Sequence, residues 1–204
     1  MKRIEVPRAT IGRIPLYLKY LKNAKQNSEN ISATVIAKEL GLGEVQVRKD
    51  LGAVSGAGRP RTGYNIKKLV SALESFLGSE KTSNVVIAGA GKLGRALLDY
   101  DGFRDYGLKM AAAFDTSVTE AELSNAGNPI YPMSDFDIFC EDHNIKIGVI
   151  AVPAKNAQEV CDLFVKNGIK AIWCFAPCTL YVDPSIPVQY ENMALSLAYL
   201  NKKI

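Results

Sequence analysis

The feature that most constrains this chain is a glycine-rich turn between an apolar strand and a helix. Residues 84–88 form a β-branched run of the kind that a buried parallel strand requires, and a GxGxxG pattern follows it directly. The first glycine permits a tight turn, the second lets a pyrophosphate approach the backbone, and the third lets the helix pack closely on the sheet. The pattern predicts a Rossmann-type α/β domain that binds a dinucleotide through Gly89, Ala90, Gly91, Lys92, Leu93 and Gly94.

An acidic residue at the end of the next strand strengthens this prediction. Residues 108–114 form that strand, and Asp115 follows it, 21 residues after Gly94. A carboxylate at this position bonds the ribose hydroxyls of the adenosine half. The same carboxylate would repel a 2′-phosphate, and Thr116 and Ser117 follow with no arginine nearby in the sequence. NAD(H) is therefore favoured over NADP(H), and Thr116 joins the predicted site.

Two further apolar runs, at residues 146–152 and 169–175, complete the predicted parallel sheet. Ligands of open α/β sheets lie outside the carboxyl ends of the strands. We therefore expect the cofactor cleft to be walled by Ala151, Val152, Pro153, Ala154, Phe175 and Ala176, with hydrophobic packing as the alternative role. We expect no catalytic residues, because no His or Lys pairs with an acid at this edge and residues 81–204 leave no room for a substrate domain.

The cysteines and the one histidine give no sign of a metal site. Cys140, Cys161, Cys174 and Cys178 form no CxxC pair, and their spacing with His143 is not that of metal ligands. We expect buried free thiols and place His143 at the end of a surface helix. A redox pair of Cys174 and Cys178 is the less favoured alternative.

Charge divides the chain into two parts. Residues 1–80 contain 14 Lys and Arg against 7 Asp and Glu, whereas residues 81–204 contain 11 against 14. The basic part favours a polyanion-binding module joined to a small-molecule domain, with a solvated basic surface as the alternative. No apolar run reaches the ~18 residues of a membrane span. The charged N-terminus does not resemble a secretory signal, and we expect a cytoplasmic protein with no membrane partner.

The basic part contains the pattern of a helix-turn-helix. Residues 8–21 predict a first helix that Pro15 could bend, Ser32 caps a second that ends at Gly41, and residues 44–51 predict a third. On the third helix the apolar Val47 and Leu51 would face the core. Its outward side chains, suited to base edges and phosphates in a DNA major groove, are Gln46, Arg48 and Lys49. A helical hairpin with a solvated polar face is the alternative reading.

The segment that follows, residues 52–64, is rich in glycine and carries two arginines. It precedes a clear fourth helix at residues 65–77. Its glycines allow the backbone to approach DNA, and Arg59 and Arg61 can reach phosphates or a narrow minor groove. The segment therefore predicts the wing of a winged helix, with an ordinary solvent loop as the alternative.

Taken in order, these motifs resemble the Rex family of redox-sensing transcriptional repressors. The resemblance covers nearly the whole chain. It is carried by residues 6–13 (VPRATIGR), 46–51 (QVRKDL), 63–65 (GYN), 89–97 (GAGKLGRAL), 102–103 (GF), 113–115 (AFD), 151–154 (AVPA) and 175–177 (FAP).

The resemblance implies a winged helix-turn-helix domain at residues 1–80, a Rossmann NAD(H)-binding domain at 81–186 and a swapped dimerisation helix within 187–204. It implies a homodimer that binds palindromic double-stranded operator DNA at a low NADH/NAD⁺ ratio and is released by NADH. It also adds Arg13 and Tyr64 to the expected DNA-binding residues.

Two departures from the family pattern limit this transfer. Many relatives have Tyr-Phe-Gly-Glu-Phe-Gly where this chain has residues 51–56 (LGAVSG), which affects the packing of the wing. Many also have an acid, which couples their domains, where this chain has Ala194. A small NAD-dependent oxidoreductase and an architectural DNA-binding protein with a vestigial Rossmann domain are the competing hypotheses.

Overall fold

The computed structural model describes residues 6–23, 28–78 and 82–202. The chain divides into two compact units, one of Met1–Lys81 with Asp105–Gly107 and the other of Thr82–Arg104 with Leu108–Ile204. This division lies next to the boundary at residues 80 and 81 that charge and motif order predict. The predicted third segment, residues 187–204, groups with the second unit.

The first unit contains the elements of a winged helix. In the described residues they are α1 (Arg8–Asn23), β1 (Asn30–Ile31), α2 (Ala33–Leu40), α3 (Glu44–Ser55), β2 (Tyr64–Asn65) and α4 (Ile66–Leu77). A short turn joins α2 to α3, and β1 pairs with β2 in antiparallel fashion. The predicted helix-turn-helix and its wing are therefore confirmed as a fold.

Local signals in the sequence set most helix ends in this unit. The Ser32 hydroxyl accepts a hydrogen bond from the Val35 N–H at 3.2 Å, and Gly41 ends α2 with a φ of +65°. The structure has α1 as one helix with Pro15 inside it. One prediction needs correction: α3 runs to Ser55 rather than ending before Gly52, because an interior glycine costs only about 1 kcal/mol and the following turn packs Val54 against the core.

The core of the first unit joins all four helices. Tyr17 and Ile14 of α1 are fully buried, and Val47 and Leu51 of α3 are buried beside them, as predicted. The other buried apolar side chains of this core are Leu18, Leu21, Ile31, Ala33, Ile36, Ala37, Tyr64, Leu69 and Leu73. Ile11, which lies at helical spacing from Ile14 in the sequence, is 38% exposed.

The rest of the chain forms strands that alternate with helices. The strands are β3 (Ser83–Ala88), β4 (Leu108–Asp115), β5 (Glu122–Leu123), β6 (Pro129–Pro132), β7 (Ile147–Ile150), β8 (Ala171–Cys174) and β9 (Val188–Tyr190). The helices are α5 (Lys92–Leu98), α6 (Phe136–His143), α7 (Ala154–Lys166) and α8 (Met193–Asn201), with 3₁₀ turns at Asp101–Tyr106 and Met133–Asp135.

These strands form one sheet with the order β5-β6-β4-β3-β7-β8-β9. Every neighbouring pair is parallel except β5 and β6. The chain adds β4 on one side of β3 and later β7 on the other side. The carboxyl ends of these three strands therefore border the crevice in which ligands of open α/β sheets bind.

Alternate residues of the central strands face opposite sides of the sheet, and each side has its own core. Val86 and Ala88 pack on one side with the phenylalanines of β4, α6 and α7, whereas Val85 and Ile87 pack on the other side with Leu98 of α5. Both sides are covered, as the continuous apolar strand in the sequence requires.

The sequence patterns did not identify α6 as a whole or the three short strands β5, β6 and β9. β5 has two residues and β6 begins and ends with proline, so neither shows an apolar periodicity. Within the described ranges, no helix combines the length and the apolar character that a membrane crossing needs.

Candidate functional site

The three glycines of the glycine-rich turn differ in what a side chain would meet at each position. Gly89 has a φ of +100°, and a Cβ there would lie 2.5 Å from the Ala151 carbonyl oxygen. A Cβ on Gly94 would lie 1.8 Å from the Gly89 carbonyl oxygen, so α5 can pack on the turn only without a side chain. At Gly91 a Cβ would meet no atom within 4 Å. The predicted roles in turning and packing are confirmed, and Gly91 leaves room for a ligand.

A cavity of about 230 Å³ opens next to this turn, at the carboxyl ends of β3, β4 and β7. Seven of the predicted cofactor residues line it: Gly89, Gly91, Asp115, Thr116, Ala151, Val152 and Pro153. The predicted Ala90, Lys92, Leu93, Gly94, Ala154, Phe175 and Ala176 are not among its lining residues. The cavity lies at the carboxyl ends of the strands, where the sequence analysis placed the cofactor cleft.

The sequence analysis missed one wall of this cavity. Asn156, Glu159, Val160 and Leu163 of α7 line it together with Met133. Their spacing along α7 brings them onto one helix face. This helical spacing, in the segment between the predicted strands of residues 146–152 and 169–175, was the signal that could have identified the wall.

Asp115 is half-buried at the rim of the cavity and accepts three hydrogen bonds. Its Oδ2 accepts from the Ala90 N–H at 2.7 Å, and its Oδ1 accepts from the Ser117 N–H at 2.9 Å and the Ser117 hydroxyl at 2.8 Å. Burial alone would raise the pKa of Asp115, but the bonds from Ser117 and Ala90 outweigh it and lower this pKa below its ordinary value. The carboxylate is therefore charged and fixed beside the glycine-rich turn.

An arginine lies closer to Asp115 than the sequence suggested. Arg95 Nε donates to the Ala90 carbonyl oxygen at 2.8 Å, and Arg95 Nη2 pairs with a carboxylate oxygen of Glu122 on β5. The charge of Arg95 also helps to lower the pKa of Asp115. The expectation that no arginine is near this carboxylate was wrong, because α5 brings a residue from 20 positions earlier to the end of β4.

Phe175 lies in the core on the other side of the sheet from most of the cavity wall. Its ring centroid is 4.5 Å from that of Trp173, which packs against Phe103 at 5.9 Å. Tyr100 continues the row at 5.1 Å from Phe103 and is 61% exposed. The row is an apolar, aromatic surface beside the carboxyl ends of β7 and β8.

Helix α3 places the side chains predicted to contact DNA in three different ways. Arg48 and Lys49 are exposed, and Arg48 forms an ion pair with Glu44 one turn earlier. Gln46 is half-buried. With its amide oxygen turned towards Arg13, it accepts from Arg13 Nη1 at 3.1 Å. The face predicted for DNA is thus presented mainly by the two basic residues.

Asp50 of α3 is a buried carboxylate that the sequence analysis did not single out. It accepts from Thr10 Oγ1 at 2.8 Å, from Tyr17 Oη at 2.7 Å, and from Arg13 Nε and Nη2 at 2.7 and 2.9 Å. Burial alone would raise the pKa of Asp50, but the hydrogen bonds from Arg13, Tyr17 and Thr10 outweigh it and lower this pKa. Arg13, predicted to contact DNA, is therefore held in a bidentate pair that fixes α3 to α1.

The wing is a tight turn with an arginine at its tip. Arg59 and Gly63 exchange backbone hydrogen bonds of 2.8 and 2.9 Å around residues 60–62. Arg59 and Arg61 are exposed, and Arg61 has a φ of +66°. Tyr64 requires a correction, because it is only 8% exposed and its hydroxyl is buried without a partner. Its ring packs against the backbone of the wing at Gly58, where an added Cβ would lie 2.9 Å from the ring.

All four cysteines are free thiols, and Cys140, Cys161 and Cys174 are buried. Burial raises the pKa of the Cys174 thiol and raises that of Cys140 to about 11, which makes the reactive thiolate scarce. In the part of the chain that the structure describes, no group of three or more His, Cys, Asp or Glu could hold a metal ion.

Comparisons with known proteins agree with both units. A family model described as "CoA binding domain" matches residues 80–178, and one described as "Putative DNA-binding protein N-terminus" matches residues 5–52. The chain is 39% identical to the redox-sensing transcriptional repressor Rex of Treponema denticola over 202 residues, which are 98% of this chain and 96% of that relative.

Two solved structures are similar over nearly the whole chain. Both are of RSP, a Rex-family repressor. The complex of RSP with β-NAD⁺ and operator DNA has 32% identity and a TM-score of 0.80 and covers 97% of this chain and 92% of RSP. The complex with β-NADH has 30% identity and a TM-score of 0.71 and covers 98% of this chain and 94% of RSP.

Proposed function

Because the chain belongs to the Rex family of redox-sensing transcriptional repressors, we propose that it binds operator DNA when NADH is scarce and leaves the DNA when NADH binds. The observation that carries this proposal is the likeness to RSP. Its structures with β-NAD⁺ and operator DNA and with β-NADH each match more than nine-tenths of both chains. As a repressor, the protein would act in the cytoplasm.

The second unit would bind NAD(H) in the crevice described above. The backbone at Gly91 leaves room for the pyrophosphate, and Asp115 would accept hydrogen bonds from the ribose hydroxyls of the adenosine half. The adenine half would lie in the cavity between β4 and α7. The nicotinamide half would extend towards the carboxyl ends of β7 and β8, where Phe175 and Trp173 provide an apolar surface.

The first unit would bind the operator through α3 and the wing. In a helix-turn-helix the second helix enters the major groove, where Arg48 can bond guanine and Lys49 can neutralise phosphate. Arg59 and Arg61 would contact phosphates or the adjacent minor groove. Arg13 would act indirectly, since its pair with Asp50 holds α3 in place.

The site is suited to binding and not to hydride transfer. The surface proposed for the nicotinamide is formed by Phe175, Trp173 and Phe103, whose aromatic side chains cannot relay a proton. NAD(H) would therefore be an effector here and not a redox substrate.

The protein would work as a homodimer in which α8 packs against a second copy. Its Met193, Leu195, Leu197, Tyr199 and Leu200 are each at least 59% exposed, which is unfavourable for a helix in water. Ala194 lies on this helix in place of the acid that many relatives have. Either another contact couples the nucleotide site to the DNA site in this chain, or the coupling is weaker.

The two nucleotides differ only at the nicotinamide, which is cationic in NAD⁺ and neutral in NADH. Burying the neutral ring against an apolar surface avoids the desolvation of a charge, so NADH would favour a closed state that releases DNA. A ligand shifts a two-state equilibrium only by its different affinity for the two states. Operator DNA must therefore weaken NADH binding by the same factor by which NADH weakens DNA binding.

The test is a fluorescence anisotropy titration of a labelled palindromic duplex that the protein selects from a random-sequence pool. We expect NADH to release the duplex at much lower concentration than NAD⁺, and excess duplex to weaken NADH binding. Release by both nucleotides at equal concentration, or by neither at saturation, would contradict redox sensing. If the chain binds nucleotide but selects no duplex, the result would favour the oxidoreductase hypothesis instead.

A further inference from the structure

Arg95 and Asp115 bind the two ends of the same residue in the glycine-rich turn. The Ala90 N–H donates to Asp115 at 2.7 Å, and the Ala90 carbonyl oxygen accepts from Arg95 Nε at 2.8 Å. A guanidinium group is therefore fixed close to the carboxylate that would bind the adenosine ribose. This is the region that a 2′-phosphate would enter if the protein bound a 2′-phosphorylated nucleotide.

An arginine in this position has the right chemistry to accept that phosphate. Its planar donors match the geometry of phosphate oxygens. In this chain, however, Glu122 pairs with Arg95 Nη2. Because Nε donates to the Ala90 carbonyl oxygen and Nη2 donates to Glu122, two of the three guanidinium nitrogens are already hydrogen-bonded within the protein.

Glu122 also makes the net charge of the three side chains around the ribose site negative. Asp115 and Glu122 carry two negative charges against the one positive charge of Arg95. The Arg95 and Glu122 side chains are 42% and 45% exposed, and an ion pair that is so exposed adds little to folding stability. Its main physical consequences are the orientation of Arg95 and the local charge.

We propose that Glu122 is a specificity-determining residue that withholds Arg95 from a 2′-phosphate and so excludes NADP(H) together with Asp115. The proposal rests on the proposed function, because it assumes that NAD(H) binds at this site. It assigns the discrimination to two residues, a carboxylate that faces the ribose and a second carboxylate that controls an arginine.

The experiment compares NADH and NADPH binding to the full chain and to Glu122→Gln, through quenching of the single tryptophan, Trp173. We expect Glu122→Gln to tighten NADPH binding by about fivefold at low salt, the range of a surface ion pair, and to leave NADH nearly unchanged. Adding Arg95→Met to Glu122→Gln should remove this gain, because the guanidinium is the group that Glu122 controls.

The matched control is Glu120→Gln, which removes the same charge from an exposed position two residues away. An equal gain in Glu120→Gln would mean that only general charge matters and would overturn the proposal. No gain in Glu122→Gln would also overturn it. Competition by adenosine 2′,5′-bisphosphate against AMP should repeat the pattern without the nicotinamide. Glu122→Ala provides a second variant, and circular dichroism establishes that each variant is folded.

These outcomes separate the proposal from the proposed function. If the wild-type chain binds NADH and the Glu122 variants keep the wild-type preference, the specificity role fails and nucleotide binding stands. If the wild-type chain binds neither nucleotide, the proposed function fails and the specificity role fails with it.

Discussion

Asp50 in the first unit and Asp115 in the second are both carboxylates held by several hydrogen bonds, but their partners differ in kind. Asp50 is only 3% exposed, and side chains from α1 use four hydrogen bonds to hold it. Asp115 accepts two of its three bonds from backbone N–H groups and lies on the wall of a cavity. The first arrangement joins two helices. The second fixes a charge where a ligand can reach it.

The comparison suggests how to tell a structural carboxylate from a binding one. Partners contributed by a different helix, with no neighbouring cavity, indicate that the carboxylate maintains packing. Backbone partners from its own turn and a glycine-rich loop, next to open space, indicate that it is oriented for a ligand. The same substitution at the two positions should therefore affect different properties.

The largest effect is expected for Asp50→Ala. Removing the carboxylate leaves Arg13, Tyr17 and Thr10 without their shared acceptor, and breaking a buried pair on one side costs about 3–5 kcal/mol. Hydrogen exchange followed by mass spectrometry should show faster exchange across α1 and α3, with the strands of the second unit unchanged. Asp115→Ala is the matched control, and a loss of less than about 1 kcal/mol in Asp50→Ala would contradict the structural role of the network.

Asp115→Ala should show the reverse pattern. We expect NADH binding to weaken about tenfold or more, because hydrogen bonds to a charged group contribute about 1.5–3 kcal/mol each. Discrimination against NADPH should fall as well, since the repulsion of a 2′-phosphate disappears with the carboxylate. Trp173 quenching measures both affinities. Unchanged NADH binding would remove Asp115 from the proposed site.

A smaller effect is expected from the two exposed basic residues of α3. Arg48→Ala should weaken binding by about 1–3 kcal/mol mainly at one operator position, whereas Lys49→Ala should weaken all sequences and reduce the salt slope by about one. Arg48 must exchange its ion pair with Glu44 for a base contact, so Glu44→Gln is a useful control. Equal losses on operator and random DNA in Arg48→Ala would contradict base reading.

The sequence predicted those parts of the fold that local patterns determine. The cap at Ser32, the fourth helix up to Leu77, and the glycine roles at positions 89 and 94 depend on neighbours in the chain, and the structure contains them. The approach of Arg95 to Asp115 could not be predicted in this way, because it depends on how α5 packs beside β4.

The role of Asp50 could be predicted from the sequence only in part. It lies between Val47 and Leu51 at helical spacing, which places a charge on the buried face of α3. That position was visible in the sequence and indicated a buried partner. What the sequence could not supply was the partner itself, because Thr10, Arg13 and Tyr17 lie on a different helix, 33 to 40 positions away.

The smallest predicted effect is on folding stability at acid pH, and it again differs between the two units. In the first unit the pKa of Asp50 is lowered, and in the second unit hydrogen bonds lower the pKa values of Asp99, Asp115, Asp137 and Asp183. A carboxyl group whose folded pKa is below its ordinary value near 3.8 stabilises the folded state above that pH. This stabilisation is lost as the pH falls from about 3.8 through the folded pKa.

Replacing Asp50 or Asp115 by asparagine should therefore reduce the loss of folding stability at low pH by different amounts in the two units. Asp50→Asn should remove much of the pH dependence of the first unit below pH 4, because its lowered pKa contributes there. Asp115→Asn should leave most of the response of the second unit, which three other carboxyl groups still provide. Hydrogen exchange of each unit between about pH 4.5 and 2.5 measures the difference. A first unit that loses stability just as steeply in Asp50→Asn would show that its acid response arises elsewhere.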